Sequence, residues 1–336
     1  MIFIRADAND KIGAGHVMRC LSIASALLDK GEVVKFIAAD SISANLISNF
    51  GFECIQLESN YLELESELER LISLLTKNKP LLLLVDSYYV TERYFHELKK
   101  YTKLAYFDDL NLKCWDVDYI INYNIFASVF DYSKYSGTNT KLLLTPKYAP
   151  LRKEFSNCTR IPQNEFVNVF VSAGGSDPEH IIERIMQQIC PDFPNLNFHF
   201  VVGSLNPRIN EIARFEGGNI TIHVDEKNMS LLMGKCDFAI SAAGFTLYEL
   251  CAMGIPTITY TLADNQLPAA EQFDKQGFMI NVGDCRDNYS FIVNMKECMF
   301  RLINDLLLQS DMSKKMKSLV DGNGVDRIVD VLLQQF

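Results

Sequence analysis

Along this chain short apolar runs keep alternating with longer stretches whose apolar residues repeat at helical spacing. That rhythm constrains the fold more than any other feature, because repeated strand-helix units close into parallel sheets covered by helices. In the first half the runs predict strands at Met1–Arg5, Val33–Ala38, Cys54–Leu57, Leu81–Val85, Lys103–Phe107, Tyr119–Asn122 and Lys141–Leu144. The clearest intervening helix carries Val17, Cys20, Leu21, Ala24, Leu27 and Leu28 on one face, and Gly31 closes it. The segment Ser156–Glu165 is polar, contains Pro162 and has no apolar period, so it reads as a connection. Beyond it the rhythm restarts at Phe166–Val171, Phe198–Val202, Ile220–Val224, Phe238–Ser241 and Thr257–Thr261. The expected architecture is therefore α/β, with two Rossmann-like, doubly wound parallel-sheet domains. Their expected limits are 1–155 and 166–310, followed by a helical tail, 311–336, that packs back on the first domain.

Composition narrows the partners. Formal net charge is −10 and no Lys/Arg run supplies a basic patch, which argues against nucleic acid or an anionic membrane surface as partner. The opening segment carries Arg5, Asp7 and Asp10, unlike a secretory leader, and the longest purely aliphatic run, Leu81–Val85, is too short to span a bilayer. A soluble, cytoplasmic protein and a monomer are expected. The nine cysteines include no C-x-x-C pair, so neither a zinc site nor a disulfide framework is expected. Asp116-Val117-Asp118 looks like a metal-holding D-x-D but precedes an apolar run and reads as a strand start; no catalytic metal and no cofactor are expected. His96, His180, His199 and His223 have no ligand-like spacing and read as structural.

In an open parallel sheet, ligands bind beyond the carboxyl ends of the strands. Gly13-Ala14-Gly15 sits at such an end and delivers His16 onto the first turn of a helix, where the positive dipole end favours an uncharged ring able to act as a base. A capping or packing role for His16 is the alternative. The third glycine of the dinucleotide fingerprint is replaced by Met18, so a dinucleotide is disfavoured. In the second half, Gly174, Gly175 and Ser176 follow a strand and open a helix, offering amides and a hydroxyl for phosphate oxygens, although many such turns are glycine-rich. The loop holding Gly244, Phe245 and Thr246 leads into a second helix whose first turns carry Glu249, placed to accept bonds from ribose hydroxyls or simply solvated.

The run S-A-A-G-F-T-L-Y-E-L-C-A-M-G-I-P resembles the donor-nucleotide signature of the N-acetylglucosaminyl transferase that completes lipid II, a two-domain GT-B enzyme whose domains face a central cleft; the resemblance implies that Glu249 binds the ribose of UDP. F-I-R-A-D, G-A-G-H-V-M-R, V-D-S-Y, F-D-D, N-Y-N, Y-A-P-L-R-K-E-F, S-A-G-G-S-D and D-N-Q occur in order over about residues 1 to 280. Together they resemble the UDP-2,4-diacetamido-2,4,6-trideoxy-β-L-altropyranose hydrolases of pseudaminic acid biosynthesis; the last fifty or so residues match nothing in that pattern. The resemblance implies hydrolysis of a UDP-sugar. It places Tyr88 and Asn265 on the sugar side, although Tyr88 could equally pack, and Arg152 near substrate or diphosphate. Asp7 could orient His16 or bind a sugar hydroxyl. Asp108 and Asp109 could be functional or could cap a helix.

A histidine suffices for such chemistry because UDP leaves as a stabilised anion and needs no acid; one base must deprotonate water, and donors must take up charge on the diphosphate. The expected outcome is inversion at the anomeric carbon without a metal. The rival from another enzyme class is a GT-B glycosyltransferase that moves the sugar to an acceptor hydroxyl, and a non-catalytic nucleotide-sugar binding module would have no use for His16.

Overall fold

The computed structural model describes the chain except Asp10 and residues 159–166, 204–205 and 335–336; at 288 and 289 only the backbone is described. Two compact units emerge. Residues 1–152 and 323–336 form the first, and residues 153–322 the second.

In the first unit β1 (Ile2–Ala6), β2 (Val34–Ala38), β3 (Cys54–Gln56), β4 (Leu82–Asp86), β5 (Lys103–Phe107), β6 (Tyr119–Asn122) and β7 (Lys141–Leu144) make a parallel sheet in the order β3-β2-β1-β4-β5-β6-β7. Between them run α1 (Gly15–Asp29), α2 (Ser41–Asn49), α3 (Leu68–Asn78) and α4 (Glu92–Leu98). Every residue of β1 and of β4 is buried, which is why these strands, apart from Arg5 and the final Asp86, read as apolar runs rather than alternating ones. One face of the sheet packs Phe3, Leu83, Leu104 and Ile120 against Leu71 and Leu75 of α3 and Phe95 and Leu98 of α4. Truncating such a residue to Ala costs about 2–5 kcal/mol.

In the second unit β8 (Val167–Ser172), β9 (Leu196–Val202), β10 (Ile220–Val224), β11 (Phe238–Ala242), β12 (Thr257–Thr261) and β13 (Ile280–Asp284) pair in parallel in the order β10-β9-β8-β11-β12-β13. Its helices are α5 (Ile181–Gln188), α6 (Ile209–Ile212), α7 (Met229–Gly234), α8 (Thr246–Met253), α9 (Leu267–Lys275), α10 (Asn288–Asn304) and α11 (Leu306–Leu319). The strand β13 is absent from the sequence reading. It is a half-buried edge strand containing Gly283, so it lacks the apolar run that betrays the others.

The tail divides differently from the expected 311–336. Met312 of α11 joins the second unit's core, whereas α12 (Gly324–Leu333) packs its buried Val325, Ile328, Val329 and Leu332 onto the first unit, where it meets α1. Most of the connection expected at Ser156–Glu165 lies outside the described residues. Among those described, no helix is long and apolar enough to cross a membrane.

Candidate functional site

In both sheets the first strand of the unit lies beside its fourth, β1 beside β4 and β8 beside β11, so each sheet has a switch point where loops part to either side. The glycine loops singled out in the sequence leave the sheets at these two points.

In the first unit the turn after β1 is organised by Asn9. Its side-chain oxygen accepts the amides of Lys11 (2.9 Å) and Ile12 (3.0 Å), and its carbonyl accepts that of Gly13 (2.8 Å). Gly13 has φ +72°, a left-handed conformation that strains any side chain. Gly15 differs: its φ is ordinary and a Cβ there would meet nothing within 4 Å, so neither backbone nor packing demands a glycine.

His16 follows on the first turn of α1 and is 8% exposed. Its Nδ1 lies 2.6 Å from Asp86 Oδ1 at the carboxyl end of β4. Arg19, one turn on, grips the same carboxylate in bidentate fashion, Nε to Oδ2 and Nη2 to Oδ1, both at 2.6 Å. The guanidinium also donates to Asp109 (Nη2 to Oδ2, 2.9 Å; Nη1 to Oδ1, 3.2 Å) and to Tyr123 Oη (3.0 Å), and stacks 4.4 Å from the Phe107 ring centroid. Asn124 Nδ2 donates to Asp109 Oδ1 at 2.7 Å, and Tyr88 Oη donates to Asp109 Oδ2 at 3.3 Å. The Tyr88 ring meets His16 edge-on at 4.7 Å. Asp86, Asp109, Tyr123 and Asn124 converge because β4, β5 and β6 are neighbours whose carboxyl ends face the start of α1.

The charges hold one another in place. Burial pushes the Asp86 carboxyl up, but Arg19 and His16 beside it more than offset this and hold it well below the usual carboxylate range. Burial likewise opposes the Arg19 charge, and Asp109 and Asp86 override it. The Tyr88 hydroxyl is pushed up by burial and by Asp109, so it stays a proton donor. Because Asp86 is an acceptor, Nδ1 carries the ring proton in the tautomer this network assigns, and Nε2 is the basic nitrogen. Two carboxylates stand against one guanidinium, so the cluster becomes charge-balanced when His16 takes up a proton.

Asp7 does not orient His16; that place belongs to Asp86. The Asp7 carboxylate is occupied by the Ala39 amide (2.7 Å) and Arg5 Nη1 (2.5 Å), and Arg5 in turn makes a bidentate pair with the fully buried Glu67 (2.8 Å to each oxygen). Asp7 nonetheless borders the same small cavity as His16, together with Ile12, Asp86 and the tyrosines 61, 88 and 89. Arg152, half-buried, closes the first segment of this unit. Asp108 Oδ1 accepts the Asn111 amide (2.8 Å) while Oδ2 is buried without a hydrogen-bond partner among the described residues, and burial pushes this carboxyl up to about 6 against the pull of the Asn111 bond.

In the second unit Ser172 pairs with Ser241, so the loops with Gly174, Gly175 and Ser176 and with Gly244, Phe245 and Thr246 leave neighbouring strand ends. One expectation needs correction. The S-A-G-G-S-D run does not itself open a helix: α5 begins at Ile181, and its first amides, those of Ile181 (2.8 Å) and Ile182 (3.1 Å), donate to the buried Asp177 carboxylate. Glu249 is buried in the first turn of α8, which its sequence position left open. Asn265 is exposed in the 3-10 turn Asp264–Gln266 after β12.

Among the described residues no group of three or more His, Cys, Asp and Glu could hold a metal ion, and all nine cysteines are free thiols. Asp118 immediately precedes β6, accepting the Leu104 amide at 2.8 Å, and Asp116 pairs with Lys99. Sequence reasoning missed Asp86 and Arg19 as the residues that hold His16, and Asp109, Tyr123 and Asn124 as the network behind Arg19. The available signal was their position: each polar residue but Arg19 stands at or just after the end of an apolar strand.

No known family's sequence profile matches the chain. It is 26% identical over 344 aligned residues to the spore coat polysaccharide biosynthesis protein SpsG of Bacillus subtilis, covering 98% of this chain and 96% of that protein. It is 24% identical over 293 residues to the UDP-2,4-diacetamido-2,4,6-trideoxy-beta-L-altropyranose hydrolase of Campylobacter jejuni, covering 83% and 98%. An uncharacterized protein of Methanocaldococcus jannaschii is 24% identical over 303 residues; the match takes in 86% of this chain but spans only 61% of that protein's length. Among solved structures, MurG of Acinetobacter baumannii superposes over 100% of this chain and 99% of its own with a TM-score of 0.69 at 14% identity, and a UDP-N-acetylglucosamine 2-epimerase covers 100% and 96% with a TM-score of 0.63 at 13% identity. Together with the two switch-point sheets, these likenesses establish that the chain has the GT-B fold, shared with glycosyltransferases.

Proposed function

We propose that this chain is an enzyme that hydrolyses a UDP-sugar at the anomeric carbon, with His16 as general base. The observation that carries the reading is the Nδ1 contact of His16 with Asp86 at 2.6 Å, which orients Nε2 for proton transfer. Water attacks the anomeric carbon, its proton passes to His16 Nε2, and the bond to the diphosphate oxygen breaks with the electron pair leaving on UDP. Proton uptake balances the charge of the Asp86, Arg19 and Asp109 cluster, so the protein favours the transfer without rearranging. In-line attack gives inversion.

The sugar is assigned to the cavity beside His16, with Asp7, Gly13, Gly15, Tyr88 and Arg152 of the first unit as sugar-side or diphosphate contacts; in the second unit Asn265 is assigned a sugar-side role. UDP is assigned to Gly174, Gly175, Ser176, Gly244, Phe245, Thr246 and Glu249. The activity for which the Campylobacter relative is named supports UDP-2,4-diacetamido-2,4,6-trideoxy-β-L-altropyranose as substrate, and the resemblance in sequence supports a place in pseudaminic acid biosynthesis. No metal or cofactor is assigned a step.

Transfer to an acceptor hydroxyl is the second reading, and one observation favours it. Leu112 and Val129, 69% and 63% exposed, stand on segments beyond β5 and β6 that touch through Asn111 Nδ2 and the Asp131 carbonyl (3.1 Å), exposed apolar side chains that an acceptor could cover. Release of UDP from the diacetamido UDP-sugar, without acceptor and with EDTA present, separates the two. Rapid release by the wild type and its loss in His16→Ala, with UDP binding retained, supports hydrolysis. Release that depends on an added acceptor overturns it in favour of transfer.

A further inference from the structure

Gly203, just after the strand β9, lies directly on the glycine loop of the second unit. Gly203 is packed so closely on Gly175 that a Cβ at 203 would stand 2.6 Å from the Gly175 carbonyl oxygen and 2.7 Å from its Cα. Arg208 Nη2 donates to the Asp177 carbonyl (3.0 Å), and the guanidinium pairs with the carboxylates of Asp177 (3.5 Å) and Glu183 (Nε to Oε1, 2.8 Å). Gly203 and Arg208 are thus both tied to the Gly174–Asp177 segment.

Asn206 sits between these ties and is 4% exposed. Its amide N–H donates to the Gly203 carbonyl (3.0 Å), and its Oδ1 accepts the Arg208 amide (2.9 Å), which fixes which end of the carboxamide is which. The Nδ2 donor that this leaves is buried without a hydrogen-bond partner among the described residues. Native structures rarely leave such a donor unmade, because burying it unsatisfied is costly. An acceptor that arrives with a ligand removes that cost.

The chemistry of the surroundings selects an anion. The Gly174–Ser176 loop leaves the sheet at its switch point, where phosphate groups bind in folds of this kind. The two carboxylates that would repel an anion, Asp177 and Glu183, are already met by Arg208, and Asp177 also by the first amides of α5.

We propose that Asn206 is a nucleotide-binding residue whose Nδ2 donates to an oxygen of the diphosphate held at the Gly174–Ser176 loop. The proposal rests on the reading of the second unit as the nucleotide-binding half and adds a residue on a different loop. Titration calorimetry on the full chain, with UDP and separately with inorganic pyrophosphate, tests it in wild type and Asn206→Asp. That substitution keeps the shape and an oxygen for the Arg208 amide but removes the donor. UDP affinity is expected to fall about ten- to a hundredfold, the range for one hydrogen bond to a charged group, with pyrophosphate weakened alongside. Asn206→Ala, which adds no repelling charge, is expected to lose less in the same direction, and it carries the test if thermal melting shows that Asn206→Asp has not folded. Unchanged UDP affinity in folded variants overturns the proposal while leaving the nucleotide reading intact. A wild type that binds neither UDP nor pyrophosphate overturns both.

Discussion

The two sheets of this molecule share one order over six strands, to which the first adds β7, and one switch-point geometry, yet their strand ends are furnished in opposite ways. In the first unit the start of α1 and the ends of β4, β5 and β6 converge on a closed network of His16, Arg19, Asp86 and Asp109, in which each carboxylate oxygen has a donor. In the second, the loops after β8 and β11 are built of small residues, and Asn206, on the segment after β9, carries a buried donor, Nδ2, without a hydrogen-bond partner among the described residues. The difference teaches that topology supplies a place for chemistry and not the chemistry itself. A saturated charge network with one basic nitrogen suits proton transfer. Open backbone with a waiting donor suits holding an anion.

If the units divide the work in this way, His16→Ala gives the largest effect: roughly a thousandfold loss of UDP release with UDP affinity unchanged. Equal losses in turnover and UDP affinity would break the comparison. Asp86→Asn comes next. It preserves shape but turns one of the two acceptor oxygens facing Arg19 and His16 into a donor, so the His16 tautomer is no longer fixed, and a roughly hundredfold fall in kcat with KM little changed is expected. Substituting a buried ion-pair partner also destabilises the fold, so melting is followed in parallel, and a KM-only effect counts against the positioning role.

The fold was legible because burial on both sheet faces leaves an unambiguous mark: β5, β6, β7, β10 and β12 match the predicted strands residue for residue. The strand β13 was not legible, since an edge position with Gly283 needs no apolar run. At the site, the placement of His16 followed from the glycine turn and the helix period. Its partner did not follow, because Asp86 lies seventy positions away in the chain and only the β1-β4 pairing brings it near. Asp7 was the natural guess by proximity along the chain, but Arg5 and Glu67 claim it.

Two smaller effects sharpen the contrast within the first unit. Asp108 titrates near 6 in the fold against an ordinary 3.8, so the folded chain binds the extra proton. Its contribution to stability is fully present below pH 3.8 and is lost as pH rises through about 6, a difference of about 3 kcal/mol at most. Asp108→Asn keeps an acceptor for the Asn111 amide and is expected to stabilise the protein at pH 8 by about 1–3 kcal/mol but little at pH 4. Denaturant unfolding at both pH values measures this, and a destabilised variant at pH 8 refutes it. Gly15→Ala follows. With ordinary φ and open space at the Cβ, it is expected to leave stability unchanged or slightly raised, while costing about tenfold in kcat/KM if a ligand approaches that backbone closely. Full activity would mean that the open space beside Gly15 is not where substrate lies.

The smallest effect has the opposite pH sign and belongs to the second unit. On β9 and β10, His199 Nδ1 and His223 Nε2 are 3.2 Å apart, and His199 Nε2 reaches Asn168 Oδ1 at 3.2 Å. One ring must be neutral to accept from the other. Burial lowers both rings below the ordinary 6.5; His223 and Lys235 lower His199 further, Lys235 also lowers His223, and Glu226 and Glu216 pull His223 back up. The unfolded chain therefore takes up protons first, and this pair's contribution is intact above pH 6.5 and is lost as pH falls through the lowered folded values. Acidification should weaken the β9-β10 edge while it relieves Asp108 in the first unit. Amide exchange at pH 5 and pH 7.5, in wild type and His223→Gln, reads the two sheets separately. Protection of Ile220–Val224 that drops at pH 5 only in the wild type supports the histidine pair as the cause, and an equal drop in the variant assigns it to some other group.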